Sequence, residues 1–90
     1  MRLTWSEQSL HDRENILDYI SRDDPAAAIH LDDEFEAHAA LAFLHPEMHR
    51  SGRVVGTREI VVHPHYVMVY QIKNDAILVL RVLHTGQIWP

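Results

Sequence analysis

The apolar residues of this chain change their period once, at His45-Pro46, and that switch restricts the fold more than any other feature. Before it the spacing is helical. Leu10, Ile16, Leu17, Tyr19 and Ile20 gather on one side of a helix expected from Glu7 to about Arg22. Ser6 is placed to cap it, and Glu7 suits the positive end of its dipole. Asp23-Asp24-Pro25 interrupts the pattern and restarts it, with Asp24 as the next cap and Pro25 in the first helical turn. A second helix is expected from Pro25 to about Leu44, where Ala27, Leu31, Phe35 and Ala39 recur at four-residue spacing, with Ala28, Ala42 and Phe43 nearby. Its alanines allow close approach, so the two helices read as an antiparallel hairpin. His45 precedes a proline and leaves the helical region. His45 to Gly56 then reads as a loop, hinged at Gly52 and Gly56. Beyond it come three strands, at Arg58–Val62, Tyr66–Ile72 and Ala76–His84. Tyr66, Met68, Tyr70 and Ile72 share one face of the second, and Lys73-Asn74-Asp75 makes the last turn. Leu3-Thr4-Trp5 adds a short extended start. The expected class is α+β: a short N-terminal strand, an antiparallel two-helix hairpin, then a three-stranded antiparallel meander, with the hairpin on one face of the sheet.

Ninety residues, 47% of them hydrophobic, suit one domain over residues 1–90 with a single core. No apolar run approaches the roughly 20 residues that span a bilayer, and no basic-then-apolar start reads as a leader, so a cytoplasmic protein is expected. The absence of cysteine removes disulfides, thiol catalysis and Cys-ligated zinc. The net charge of −5 hides an asymmetry. Residues 1–48 hold eleven carboxylates against three arginines, whereas residues 49–90 hold Arg50, Arg53, Arg58, Lys73 and Arg81 against Glu59 and Asp75. The basic half is suited to phosphates, the acidic half to water or a basic partner.

Eight histidines raise the question of metal, but Pro46 spoils the His45/His49 spacing, and His63-Pro64-His65 straddles a strand connection where successive side chains are expected to diverge. No metal site is expected. The carboxylate pairs Asp23/Asp24, Asp32/Asp33 and Glu34/Glu36 read as caps and a solvated face. Gly52-Arg53-Val54-Val55-Gly56 lacks the lysine and the strand-loop-helix setting of a phosphate loop. The set with chemical potential is Arg53, Arg58, Arg81 and His84 with Tyr66 and Tyr70. Arginines on a sheet face clamp phosphates bidentately, a histidine exchanges protons near neutral pH, and a tyrosine stacks on a base. The competing structural reading pairs Arg58 and Arg81 with Glu59 or the acidic helices, and spends His84 on backbone groups at a strand end.

Leu-Thr-Trp-Ser, Ile-Leu-Asp-Tyr-Ile, Asp-Pro-Ala-Ala-Ala, Gly-Arg-Val-Val-Gly-Thr-Arg-Glu-Ile-Val-Val and Leu-Arg-Val-Leu-His, in this order along nearly the whole chain, resemble the RelE/ParE superfamily, the toxins of type II toxin–antitoxin modules. The resemblance implies an αα-hairpin on a twisted antiparallel sheet, no cofactor, and an antitoxin that wraps the toxin and through which any oligomer forms. RelE-like and YoeB-like members cut messenger RNA on the ribosome, while ParE-like members poison DNA gyrase without nuclease chemistry. His84 falls where YoeB-like toxins carry a catalytic histidine. Val67 stands where RelE-like toxins carry a catalytic arginine, and the tail beyond the last strand is reduced to Thr85–Pro90. The first expectation is ribosome-dependent cleavage, with His84 as acid or base and Arg58 and Arg81 at the scissile phosphate. Arg50, Arg53, Tyr66, Tyr70 and Trp89 are then target contacts. The alternative is a gyrase poison in which basic and aromatic residues, Trp89 included, form a docking patch; a third is an inactive member that only binds its antitoxin. The acidic stretch Asp23–Glu36, with Asp32, Asp33 and Glu36, is the expected antitoxin contact.

Overall fold

A computed structural model describes residues 2–90. In chain order the elements are β1 (Arg2–Trp5), α1 (Glu7–Ser21), α2 (Pro25–Leu44), β2 (Arg58–His63), β3 (Tyr66–Lys73) and β4 (Ala76–His84). The helix starts follow from the caps. Ser6 Oγ accepts from the Ser9 N–H at 3.0 Å, and Asp24 Oδ1 accepts from the Ala27 N–H at 3.1 Å with Pro25 opening α2. The buried stripe of α2 is Ala28, Leu31, Phe35, Ala39 and Ala42, the last four of them in the core cluster with the sheet, and Ala27 is exposed. Steps of four advance 40° too far on a 3.6-residue helix, so the buried stripe keeps two steps of four, is flanked by a step of three at each end, and begins one residue later than expected.

The sheet order is β1-β4-β3-β2. The last three strands form the expected antiparallel meander, but the sheet is mixed: β1 runs parallel to β4, with Arg2 opposite Ala76 and Trp5 opposite Val79. Asn74 and Asp75 both have positive φ (50° and 58°), the two-residue turn whose twist matches a hairpin. Leu31, Phe35, Ile60, Met68, Tyr70 and Ile77 lie in the core between helices and sheet. On the other face Val67, Val69 and Leu83 form a second small cluster, covered by Trp89 of the tail. No described helix is long and apolar enough to cross a membrane.

Candidate functional site

The residues with chemical potential fall into three places. The first lies where β1 ends. Its pairing stops at Val79, and α1 takes over the exposed edge of β4. Ser6 Oγ donates to Leu80 O at 2.8 Å, and Asp12 Oδ2 accepts from the Val82 N–H at 3.0 Å, so side chains stand in for a missing strand. Asp12 also accepts from Arg81 Nε at 2.7 Å and from its Nη2 at 3.1 Å. Burial pushes the Asp12 carboxyl up, but the bonds from Arg81, Val82 and Gln8 outweigh it and hold the group below its ordinary value. Arg81 is thus bound by an ion pair to a helix, with a fifth of its side chain exposed.

The second place is the loop between α2 and β2, organised on a buried carboxylate. Glu59 accepts from the Arg53 N–H (2.8 Å) and Arg53 Nε (3.0 Å), and lies 3.8 Å from Arg50. Burial raises its pKa, and the stronger pull of Arg53 and Arg50 lowers it overall. Arg58 Nη1 donates to the carbonyls of His49 (2.8 Å) and Glu47 (3.2 Å). Tyr70, expected on the target surface, is wholly buried, and its hydroxyl donates to Pro46 O at 2.6 Å. Its ring fills the core and its oxygen pins the loop, so it offers no stacking face. His49 lies edge-on to that ring, its basicity lowered first by burial and then by the charges of His38 and Arg58.

The third place is the far end of the sheet. His63 and His65 do not diverge. The chain turns at Pro64-His65, the His65 N–H donates to His63 Nδ1 at 3.1 Å, and the rings stand 5.4 Å apart. His84 stacks on His65 at 5.8 Å and meets Tyr66 edge-on at 5.6 Å. His84 Nδ1 accepts from the Gly86 N–H at 3.1 Å, which places the ring's proton on Nε2. Tyr66 has its hydroxyl pKa raised by burial and by Tyr19. Among the described residues no three His, Asp or Glu side chains are arranged to hold a metal ion.

These places do not converge. Arg58 lies opposite Tyr70 and His84 opposite Tyr66, on the two sides of β3. Four residues along the strand and two strand spacings across put their Cα atoms about 16 Å apart. The guanidinium of Arg58 points to the loop. Arg81 is three residues from His84 and engaged by Asp12. Asp32 and Glu36 are held by Arg13, at 2.6 and 2.7 Å, in a bridge from α1 to α2; Asp33 has no ion pair among the described residues. The guanidinium of Arg13 also lies 4.8 Å from the Trp5 ring.

Residues 3–89 match the model of the ParE toxin of the type II toxin–antitoxin system parDE. The chain is a member of the ParE toxin family. Y4kP of Sinorhizobium fredii, a protein named as a toxin, is 32% identical over 90 residues, covering 99% of this chain and 93% of its own length. Among solved structures, the chromosomal ParDE system of P. aeruginosa superposes with a TM-score of 0.82 at 18% identity, over 93% of this chain and 95% of the other. The YoeB/ParE toxin of Agrobacterium tumefaciens gives 0.69 at 16% identity over 93% and 98%, and YafQ of E. coli gives 0.64 at 11% over 93% and 92%. The toxin therefore belongs to the RelE/ParE superfamily of type II modules, and an antitoxin is its implied partner. The structural reading that pairs Arg81 with an acidic helix holds, whereas Asp12 as its partner, the second bond of the capping Ser6 to Leu80 O, and Glu59 as the anchor of Arg53 were not read from the sequence. An acid a turn inside a helix reads as solvated, and only the parallel pairing of β1 brings it to β4. Glu59 carried a signal, being the lone acid amid Arg50, Arg53 and Arg58.

Proposed function

We propose that this toxin arrests growth in the cytoplasm by binding and poisoning DNA gyrase, without cutting RNA. One observation supports this over the nuclease expectation: His84, Arg58 and Arg81 do not face a common point, and both arginines are engaged within the chain. Phosphodiester cleavage needs an acid, a base and a positive group within reach of one phosphate. Docking on a protein needs only a shaped surface. Val67, at the arginine position of RelE-like toxins, is buried in the small cluster with Val69 and Leu83.

The test is pulse labelling directly after induction. Thymidine incorporation is expected to fall first while methionine incorporation continues, and the purified toxin is expected to inhibit supercoiling by gyrase. A prompt fall in methionine incorporation refutes the reading. That result would favour the second reading, ribosome-dependent cleavage at the ring cluster of His84, His65, His63 and Tyr66. Under it His84→Ala abolishes toxicity with antitoxin binding intact. Under the gyrase reading His84→Ala stays toxic.

A further inference from the structure

The loop before β2 is braced from within and yet ends in a bare aliphatic tip. The Gly52 N–H donates to Thr57 O at 2.7 Å, and the Thr57 N–H and hydroxyl both donate to Val54 O, at 3.1 and 2.6 Å. Gly56 supplies the positive φ of 86° that closes the turn. At the apex stands Val55, 102% exposed. Arg53, anchored on Glu59, donates through Nη1 to Gln87 O at 3.1 Å and so fastens the tail to the loop. The tail is pinned again by Trp89 on Val67, Val69 and Leu83. Between these fastenings Ile88 is 92% exposed.

Single exposed aliphatic residues are ordinary on a protein surface. Two on segments joined by one hydrogen bond, each held in place on both sides, are a different matter, because their ordering entropy is already spent before a partner arrives. Their surroundings are basic. Arg50, Arg53 and Arg58 outnumber the one carboxylate of the segment from His49 to Glu59, the buried Glu59, and Arg50, 3.8 Å from it, keeps 64% of its side chain exposed.

We infer that Val55 and Ile88 form a two-point apolar knob, flanked by Arg50, with which the toxin docks onto its target protein. The complementary surface is an apolar socket rimmed by carboxylates. Aliphatic tips suit a socket in a protein; single-stranded RNA is gripped by aromatic faces, which this knob lacks. The inference rests on the gyrase reading and deepens it by naming the surface.

The test uses the full chain with Val55→Glu and Ile88→Glu combined, and Val55→Ser with Ile88→Ser as the milder pair. Both sites are solvent-exposed, so the circular dichroism spectrum and antitoxin affinity should match the wild type. Inhibition of gyrase supercoiling by the glutamate pair is expected to need at least about tenfold more toxin. Arg50→Glu should weaken it several-fold, more so at low salt. If wild type inhibits gyrase and the glutamate pair inhibits equally well, the knob is wrong and the gyrase reading stands. If wild type does not inhibit gyrase, the gyrase reading fails and takes this occupant with it. If the pair instead loses affinity for a labelled single-stranded RNA while inhibiting gyrase normally, the knob serves RNA and the inference is overturned.

Discussion

Replacing Asp12 by alanine removes the acceptor that holds α1 to the open edge of β4. Four bonds disappear together: two from the Arg81 guanidinium, at 2.7 and 3.1 Å, one from the Val82 amide at 3.0 Å, and an exposed one from Gln8 Nε2 at 3.0 Å. The groups left behind meet little water, since only 21% of the Arg81 side chain is exposed. Removing one partner of a buried pair costs about 3–5 kcal/mol, and the remaining exposure of Arg81 places the expectation near the lower end, about 3 kcal/mol. Urea unfolding at neutral pH measures it. Adding Arg81→Leu should recover part of the loss, because the stranded charge leaves with it. The effect also has a pH signature. The folded carboxyl titrates below its ordinary value, so its contribution is complete above the ordinary carboxylate range and disappears as pH falls through the lowered value. The gap between wild type and Asp12→Ala should therefore narrow below about pH 4. A gap under about 1 kcal/mol at neutral pH, or one unchanged by acid, would show that Asp12 does not carry this edge.

Gly52→Ala should lower stability by about 1–3 kcal/mol in a thermal melt, because its Cβ would collide with Thr57 Oγ1, which is itself bonded to Val54 O; a silent substitution would mean the loop is not braced as described. Trp89→Ala uncovers Val67, Val69 and Leu83 and should cost about 1–2 kcal/mol, with increased binding of a hydrophobic dye; unchanged dye binding would place the ring elsewhere. If a basic antitoxin segment lies along α2, Asp33→Asn should weaken its binding a few-fold, and less at high salt, without altering the toxin's melt. Asp32→Asn should first lower the melt, by releasing Arg13. Titration calorimetry at two salt concentrations separates the two, and an unchanged affinity for both variants moves the antitoxin contact off this face.

Local grammar was readable and distant partnership was not. Ser6, Asp24-Pro25 and the Asn74-Asp75 turn act through neighbours within a few residues, so helix starts and the last hairpin were visible in the chain. The alternation at Tyr66, Met68 and Tyr70 marked a strand, but not that its other face would also be covered, by Val69 beside Leu83 and Trp89. Nothing local says that Leu3 pairs with Ile77, and without that pairing Asp12 cannot be matched to Arg81. The candidate site fared worse for the same reason. Arg58, Arg81 and Tyr70 are residue types that serve catalysis or packing equally well, and the deciding partners come from Glu47 and His49, Asp12, and Pro46. His63 and His65 flank a strand connection where divergence is the ordinary expectation, and the tight turn at Pro64-His65, closed by the His65 N–H on His63 Nδ1 at 3.1 Å, brings their rings together instead.

The parallel partnership of β1 with β4 also has a consequence for synthesis. The strand made first finds its neighbour only after residues 76–79 have been made, and the Ser6 and Asp12 contacts wait for residues 80–82. Until β4 leaves the ribosome, the helical hairpin has an incomplete sheet to lie on, and the nascent chain has no finished surface to turn on its host. In this order of synthesis the sheet closes last, at the strand whose edge the first strand and the first helix both need.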